Sequence, residues 1–120
     1  LTPPFNHRVG AVELWSLNTV SGIYSIVRQI NGVGGDAANY GEFISMDETG
    51  HKIAIGARKY NNAISLIQVG FAEIFDLVDM SGNSIWDATL SAPVFLDKIE
   101  GSNKGDYCGA GVALFFIMIS

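Results

Sequence analysis

Several groups of residues in this chain have types that could do chemistry. Gly32-Val33-Gly34-Gly35-Asp36 invites a phosphate-loop reading. Such a loop needs Gly-Lys-Ser/Thr opening a helix, so that backbone N–H groups and the lysine meet the phosphates. No lysine follows Asp36, and Tyr40-Gly41 opens a strand, so the segment reads as a connection. His7 and His51 lie far apart, with no serine or cysteine at a recognisable motif. A triad can assemble from distant positions, but these two read as solvated turn or terminal histidines. Asp36 and Asp106 stand at matched places before a strand. They read as acceptors of backbone N–H bonds in Asx-type turns rather than as paired catalytic carboxylates. Cys108, the single cysteine, sits in an apolar run and reads as a small buried hydrophobe. It allows no internal disulfide and does not decide the compartment. There remains Arg58-Lys59-Tyr60-Asn61-Asn62, a loop of cations, an aromatic and amides between two strands. Binding residues concentrate on loops held by a rigid scaffold. These five are therefore candidate ligand-loop residues, weighed against a plain exposed polar loop.

Composition narrows what such a loop could meet. The 120 residues suit one small domain. Seven Lys and Arg stand against twelve Asp and Glu, a net charge of −5, and no basic stripe is present to displace counterions. Nucleic acid is set aside. The longest apolar stretch, Val112 to Ile119, falls well short of the roughly 20 residues a membrane helix needs, so no membrane span is expected. No basic segment with an apolar core opens the chain, so no signal peptide is visible. Fourteen glycines against three prolines predict many tight turns between short strands.

The elements that must position the loop emerge from an internal repeat. Residues 10–22 read GAVELWSLNTVSG and residues 70–82 read GFAEIFDLVDMSG. Five of the thirteen positions are identical (Gly10/Gly70, Glu13/Glu73, Leu17/Leu77, Ser21/Ser81, Gly22/Gly82), and three more keep size and polarity. A second echo follows each copy. Ile30, Gly32 and Tyr40-Gly41 recur as Ile99, Gly101 and Cys108-Gly109, with an insertion between Trp86 and Ile99 around Ala92-Pro93. Strands are predicted over 42–46, 52–57, 71–77 and 85–90, the first two joined by a turn at Asp47 to Gly50. They form one antiparallel meander, and no segment has a clean helical period. Val12 and Leu14 point one way while Trp15 and Leu17 point the other. A sheet apolar on both faces is expected to be covered on both, as in a propeller blade, rather than to have one solvated face; a two-sheet sandwich is the alternative, and the internal repeat, which a sandwich does not need, argues against it.

The run from Tyr40-Gly41 through Asp47 and Gly50 to Gly56-Ala57 resembles the FG-GAP, integrin-α-like repeat. Gly10-Ala11-Val12 and Gly70-Phe71-Ala72 resemble its Gly-Ala-Val strand opening, and Trp86 resembles the tryptophan its fourth strand often carries. The resemblance covers roughly residues 9 to 114. Arg58 departs from it where the family has proline, Cys108 where it has an aromatic, and the tail from Phe115 to Ser120 where a second turn should come.

The resemblance implies an all-β fold, a β-propeller fragment made of antiparallel four-stranded meander blades. Residues 1–34 would hold strands 3–4 of a preceding blade plus a connection, 35–98 one complete blade, and 99–120 the start of a following blade, with an atypical tail over 115–120. Calcium-binding members of the family carry alternating acids between the first two strands. Here that loop is Asp47-Glu48-Thr49-Gly50-His51, with fewer oxygens than the six to eight calcium takes. No cofactor, metal or catalytic residue is expected. The implied function is a non-catalytic binding, adhesion or scaffold module of a larger extracellular or cell-surface protein. Its partners would be neighbouring blades and a protein or glycan ligand. The alternative is a fragment of a propeller hydrolase or lyase whose catalytic residues lie mostly on other blades.

Overall fold

A computed structural model describes residues 10–32, 39–60, 69–103, 105–106 and 108–111. These residues form six strands and no helix. Hence none of them lies in a helix long and apolar enough to cross a membrane. Strands β1 (Ala11–Asn18) and β2 (Ile23–Asn31) make an antiparallel hairpin. Strands β3 (Phe43–Met46), β4 (Lys52–Ala57), β5 (Phe71–Asp76) and β6 (Val94–Glu100) make a second, four-stranded antiparallel sheet in chain order.

Short polar side chains close the turns. Asn18 Oδ1 accepts the N–H groups of Val20 and Ser21 between β1 and β2. Asp47 does the same between β3 and β4, taking those of His51 and Lys52. Both satisfy backbone donors that a hairpin end leaves without a ladder partner.

The fourth strand corrects the sequence reading. Residues 85–90 are turns, not a strand, and β6 begins only at Val94. The insertion around Ala92-Pro93 carries the cause. The chain needs residues 77–93 to return from β5 to β6, against 19–22 from β1 to β2. Trp86 accordingly stands in this excursion rather than on a strand, and its indole N–H donates to the carbonyl of Gly50 at 2.7 Å. Leu77 and Ile85 from the same excursion are buried.

The two copies of the repeat adopt the same local geometry. A β-bulge falls between Leu14 and Trp15 in the hairpin and between Ile74 and Phe75 in the sheet, which are matched positions. The Gly32 N–H donates to the Gly10 carbonyl, and the Gly101 N–H to the Gly70 carbonyl, each at 3.0 Å. Gly10 and Gly70 take positive φ, +87° and +72°. In both the missing side chain admits a neighbouring backbone, that of Tyr40 over Gly10 and of Cys108 over Gly70. Glycine is the residue that meets both demands.

The core lies between the hairpin and the sheet. Val12, Leu14 and Ile30 of the hairpin join Ile53, Ile55 and Phe71 of the sheet in one buried cluster. Cross-strand partners share a face. The pairs Ala57↔Phe71 and Ile53↔Phe75 therefore put these sheet residues on one side, and Val12↔Ile30 does so in the hairpin.

Candidate functional site

The Arg58 loop leaves the end of β4 beside the starts of β3 and β5. The Arg58 Nε donates to Glu42 Oε2 at 2.8 Å, and the Asn39 side-chain amide donates to the same oxygen at 2.8 Å. Glu42 is held below the usual carboxylate range by the Arg58 bond first and the Asn39 bond second. Tyr60 does not stand out into solvent. Its ring meets the buried Phe71 ring edge-on, with centroids 4.9 Å apart, and the Tyr60 N–H closes the turn by donating to the Ala57 carbonyl. Lys98 of β6 places its Nζ 4.9 Å from the Tyr60 ring centre and 4.3 Å from that of Phe71, within cation–π range.

The plain reading of an exposed polar loop therefore needs correction. Arg58, Lys59 and Tyr60 are half-buried, because the aromatic is drawn into the core edge and Arg58 is tethered to Glu42. Asn61 and Asn62 lie outside the described residues, as do His7 and Asp36. The residues that sequence reasoning missed here are Glu42, Lys98 and Tyr40. Glu42 and Lys98 stand sixteen and thirty-eight positions from their loop partners Arg58 and Tyr60, and no local spacing signals such pairs. Tyr40 is buried, and its hydroxyl has no partner in hydrogen-bond geometry. Burial first, then the nearby Glu73 carboxylate, push its pKa well above the ordinary tyrosine value.

At the other end of the sheet an open depression of about 350 Å³ is lined by Asp47, His51, Lys52, Asp76, Val78 and Asp79 with Met80. Its acids are engaged. Asp76 pairs with Lys52. Asp47 accepts the N–H groups of His51 and Lys52 and the Thr49 hydroxyl. Asp79 accepts from the N–H groups of Ser81 and Asn83 and from the Asn83 amide. Among the described residues no three His, Cys, Asp or Glu side chains are placed to hold one metal ion.

Asp106 accepts the N–H groups of Ser102 and Asn103, four and three residues before it. It is thus a turn acceptor as expected, but it reaches backwards rather than forwards as in an Asx-turn. Cys108 is half-buried, its thiol raised by burial first and by the Asp106 charge second.

These turn carboxylates make stability depend on pH. At Asp47 burial opposes ionisation, but the Lys52, Thr49 and His51 bonds outweigh it and lower the pKa. At Asp79 and Asp87 the Asn83 and Thr89 side-chain bonds lead in lowering it. A depressed folded-state pKa gives stability that is present above the unfolded value, about 4, and is lost as pH falls through the folded value. Tyr40 acts in the opposite direction. Its contribution is complete below the unfolded value of about 10 and is lost as pH rises beyond it. The melting temperature should fall below pH about 4 and again on the alkaline side, where the raised Cys108 thiol contributes from about 8.5 and Tyr40 from about 10, and Tyr40→Phe should flatten the upper part of the alkaline fall. A melting temperature that rises on acidification below pH about 4 would refute this assignment.

No family model, curated protein or solved structure matches this chain.

Proposed function

We propose that this chain is a non-catalytic binding or scaffold module built from FG-GAP-like repeats, with its sheets stacked as propeller blades are. The observation that carries the reading is the paired geometry of the two repeats. Gly10 under Tyr40 and Gly70 under Cys108 each support a strand pair with its bulge at the same place. A sheet apolar on both faces stabilises only when another sheet covers it. The ligand surface of such a module is the end that carries Arg58, Lys59 and Tyr60, with Asn61 and Asn62 next in the sequence, and Arg58 and Tyr60 are pre-set there by Glu42 and Phe71. Pre-set side chains lose less entropy on binding. The chemistry of that end, two cations and an aromatic edge with two amides next in the sequence, suits an acidic protein segment or a glycan at an extracellular or cell-surface location.

A labelled preparation screened against immobilised glycans and cell-surface proteins tests this. Binding to one class is expected, weakened roughly tenfold or more by Lys59→Glu, with the thermal melt unchanged. Binding that is indifferent to Lys59→Glu and Asn62→Ala overturns the ligand-end assignment. Turnover of a glycan or ester in the same screen favours the hydrolase or lyase alternative.

A further inference from the structure

Among the described residues, β1 and β2 of the hairpin and β3 and β6 of the larger sheet each keep one edge without a strand partner. Open edges invite pairing with another chain, and folded proteins blunt them. Three of these edges are blunted. β3 has only four residues. β2 and β6 carry the extra residue of each bulge, Val27 and Leu96, because the register steps from Leu14↔Arg28 to Trp15↔Ile26 and from Ile74↔Asp97 to Phe75↔Phe95. Asp97, Lys98 and Glu100 add charge to β6. β1 has none of these devices. It runs for eight residues with no bulge residue of its own, no proline and no lysine, and Glu13 is its one charge.

The second repeat displays what such an edge accepts. The Gly10 carbonyl accepts the Gly32 N–H and so points to β2. Backbone groups alternate sides along a strand, so those of Ala11, Glu13, Trp15 and Leu17 point to the open edge. The Gly70 carbonyl points to β6 by the matching bond with Gly101. The counterparts Phe71, Glu73 and Phe75 therefore turn to β4, opposite Ala57, Ile55 and Ile53. The cover above the edge is matched too. A Cβ on Gly56 would lie 2.1 Å from the Gly109 carbonyl oxygen, and one on Gly109 would lie 2.1 Å from the Phe71 carbonyl oxygen. Gly41 holds the corresponding place over the hairpin, where a Cβ would lie 3.2 Å from the Ala11 carbonyl oxygen and 2.9 Å from Val12 Cγ2. A strand entering beside β1 passes beneath Gly41 as Gly56 passes beneath Gly109, so it needs glycine opposite Val12.

We infer that the open edge of β1 binds an extended segment of another polypeptide, antiparallel to β1, with the sequence pattern of β4. That pattern sets aliphatic residues opposite Trp15 and Glu13, a small residue opposite Leu14, glycine opposite Val12 and a small residue opposite Ala11. Main-chain bonds along β1 supply the attraction, and the passage beneath Gly41 supplies the selection. The inference shares the matched repeats with the module reading, but it concerns a different surface, so a failed ligand screen at the Arg58 end leaves it standing.

The test titrates the full chain with a synthetic peptide of residues 51–58, HKIAIGAR, to millimolar concentration and follows amide hydrogen exchange residue by residue. The Ala11, Glu13, Trp15 and Leu17 amides should slow roughly tenfold or more at saturation. Gly56→Val in the peptide should weaken binding roughly tenfold or more. N-methylation of the peptide at Ile55, whose N–H faces β1, should do the same. N-methylation at Ala54, whose N–H faces away, should leave binding intact. No slowing in β1, protection confined to other strands, or equal binding of all four peptides overturns the inference. So does a closed dimer of the chain alone, seen by sedimentation velocity, in which the same β1 amides are already protected.

Discussion

Truncating Phe71 to alanine is expected to lower the stability of this chain by about 3–5 kcal/mol. Phe71 is fully buried at the start of β5. Its ring is met edge-on by Tyr60, lies with its centroid 6.0 Å from that of Tyr40, and carries the Lys98 ammonium above it. The loss has three parts: the transfer free energy of the ring, the void that strand backbones cannot close, and a half-buried lysine left without this aromatic face. Small domains have only about 5–15 kcal/mol in total, so this one change should bring the chain close to unfolding. Phe43→Ala, at an exposed position on the opposite face, is the control and should cost far less in the monomer. Urea unfolding monitored by circular dichroism measures both. Equal midpoint shifts for the two variants would contradict the placement of the core between hairpin and sheet.

The second large effect is expected at Gly70. Alanine there meets two penalties at once. Its φ of +72° costs a residue with a Cβ about 1–2 kcal/mol. Its Cβ would also lie 2.1 Å from the Cys108 carbonyl oxygen and 2.6 Å from the Cys108 nitrogen, both backbone atoms. Overpacking of this kind typically adds about 1–3 kcal/mol. Gly82 separates the two contributions, since its φ is +84° but nothing lies near its absent side chain. Gly82→Ala should show the backbone penalty alone. If Gly70→Ala costs no more than Gly82→Ala, then Cys108 does not sit over Gly70, and the equivalence of the two repeats fails with it. Gly10→Ala should behave as Gly70→Ala does, because Tyr40 occupies the matched position.

The carboxylates bear on the same theme of backbone closure. In the sequence Asp47 reads as the acidic corner of a short turn with too few oxygens for calcium and Asp106 as a turn acceptor rather than a catalytic carboxylate, and Asp79 stands before a further glycine turn at Gly82. In the structure each is taken up by N–H groups of its own turn. Short acidic side chains beside glycine turns do this locally, and local interactions can be read from adjacent residues.

Local patterning accounts for what the sequence determined here: an all-β chain, β3 and β4 with the turn between them, the start of β5, and the matched glycines at 10 and 70. Alternation, β-branched runs and glycine turns act over a few residues, so they are visible without the fold. The place of β6 was not visible, because residues 85–90 carry strand-like residues and yet spend them on turns that bring Ile85 into the core and Trp86 to Gly50. Tertiary structure alone decided that Tyr60 would lean on Phe71, that Arg58 would meet Glu42, and which apolar face of each sheet would be buried. Both faces of the hairpin are apolar, so its composition cannot choose between them. The choice falls to the neighbouring sheet that covers one face and leaves the other to solvent.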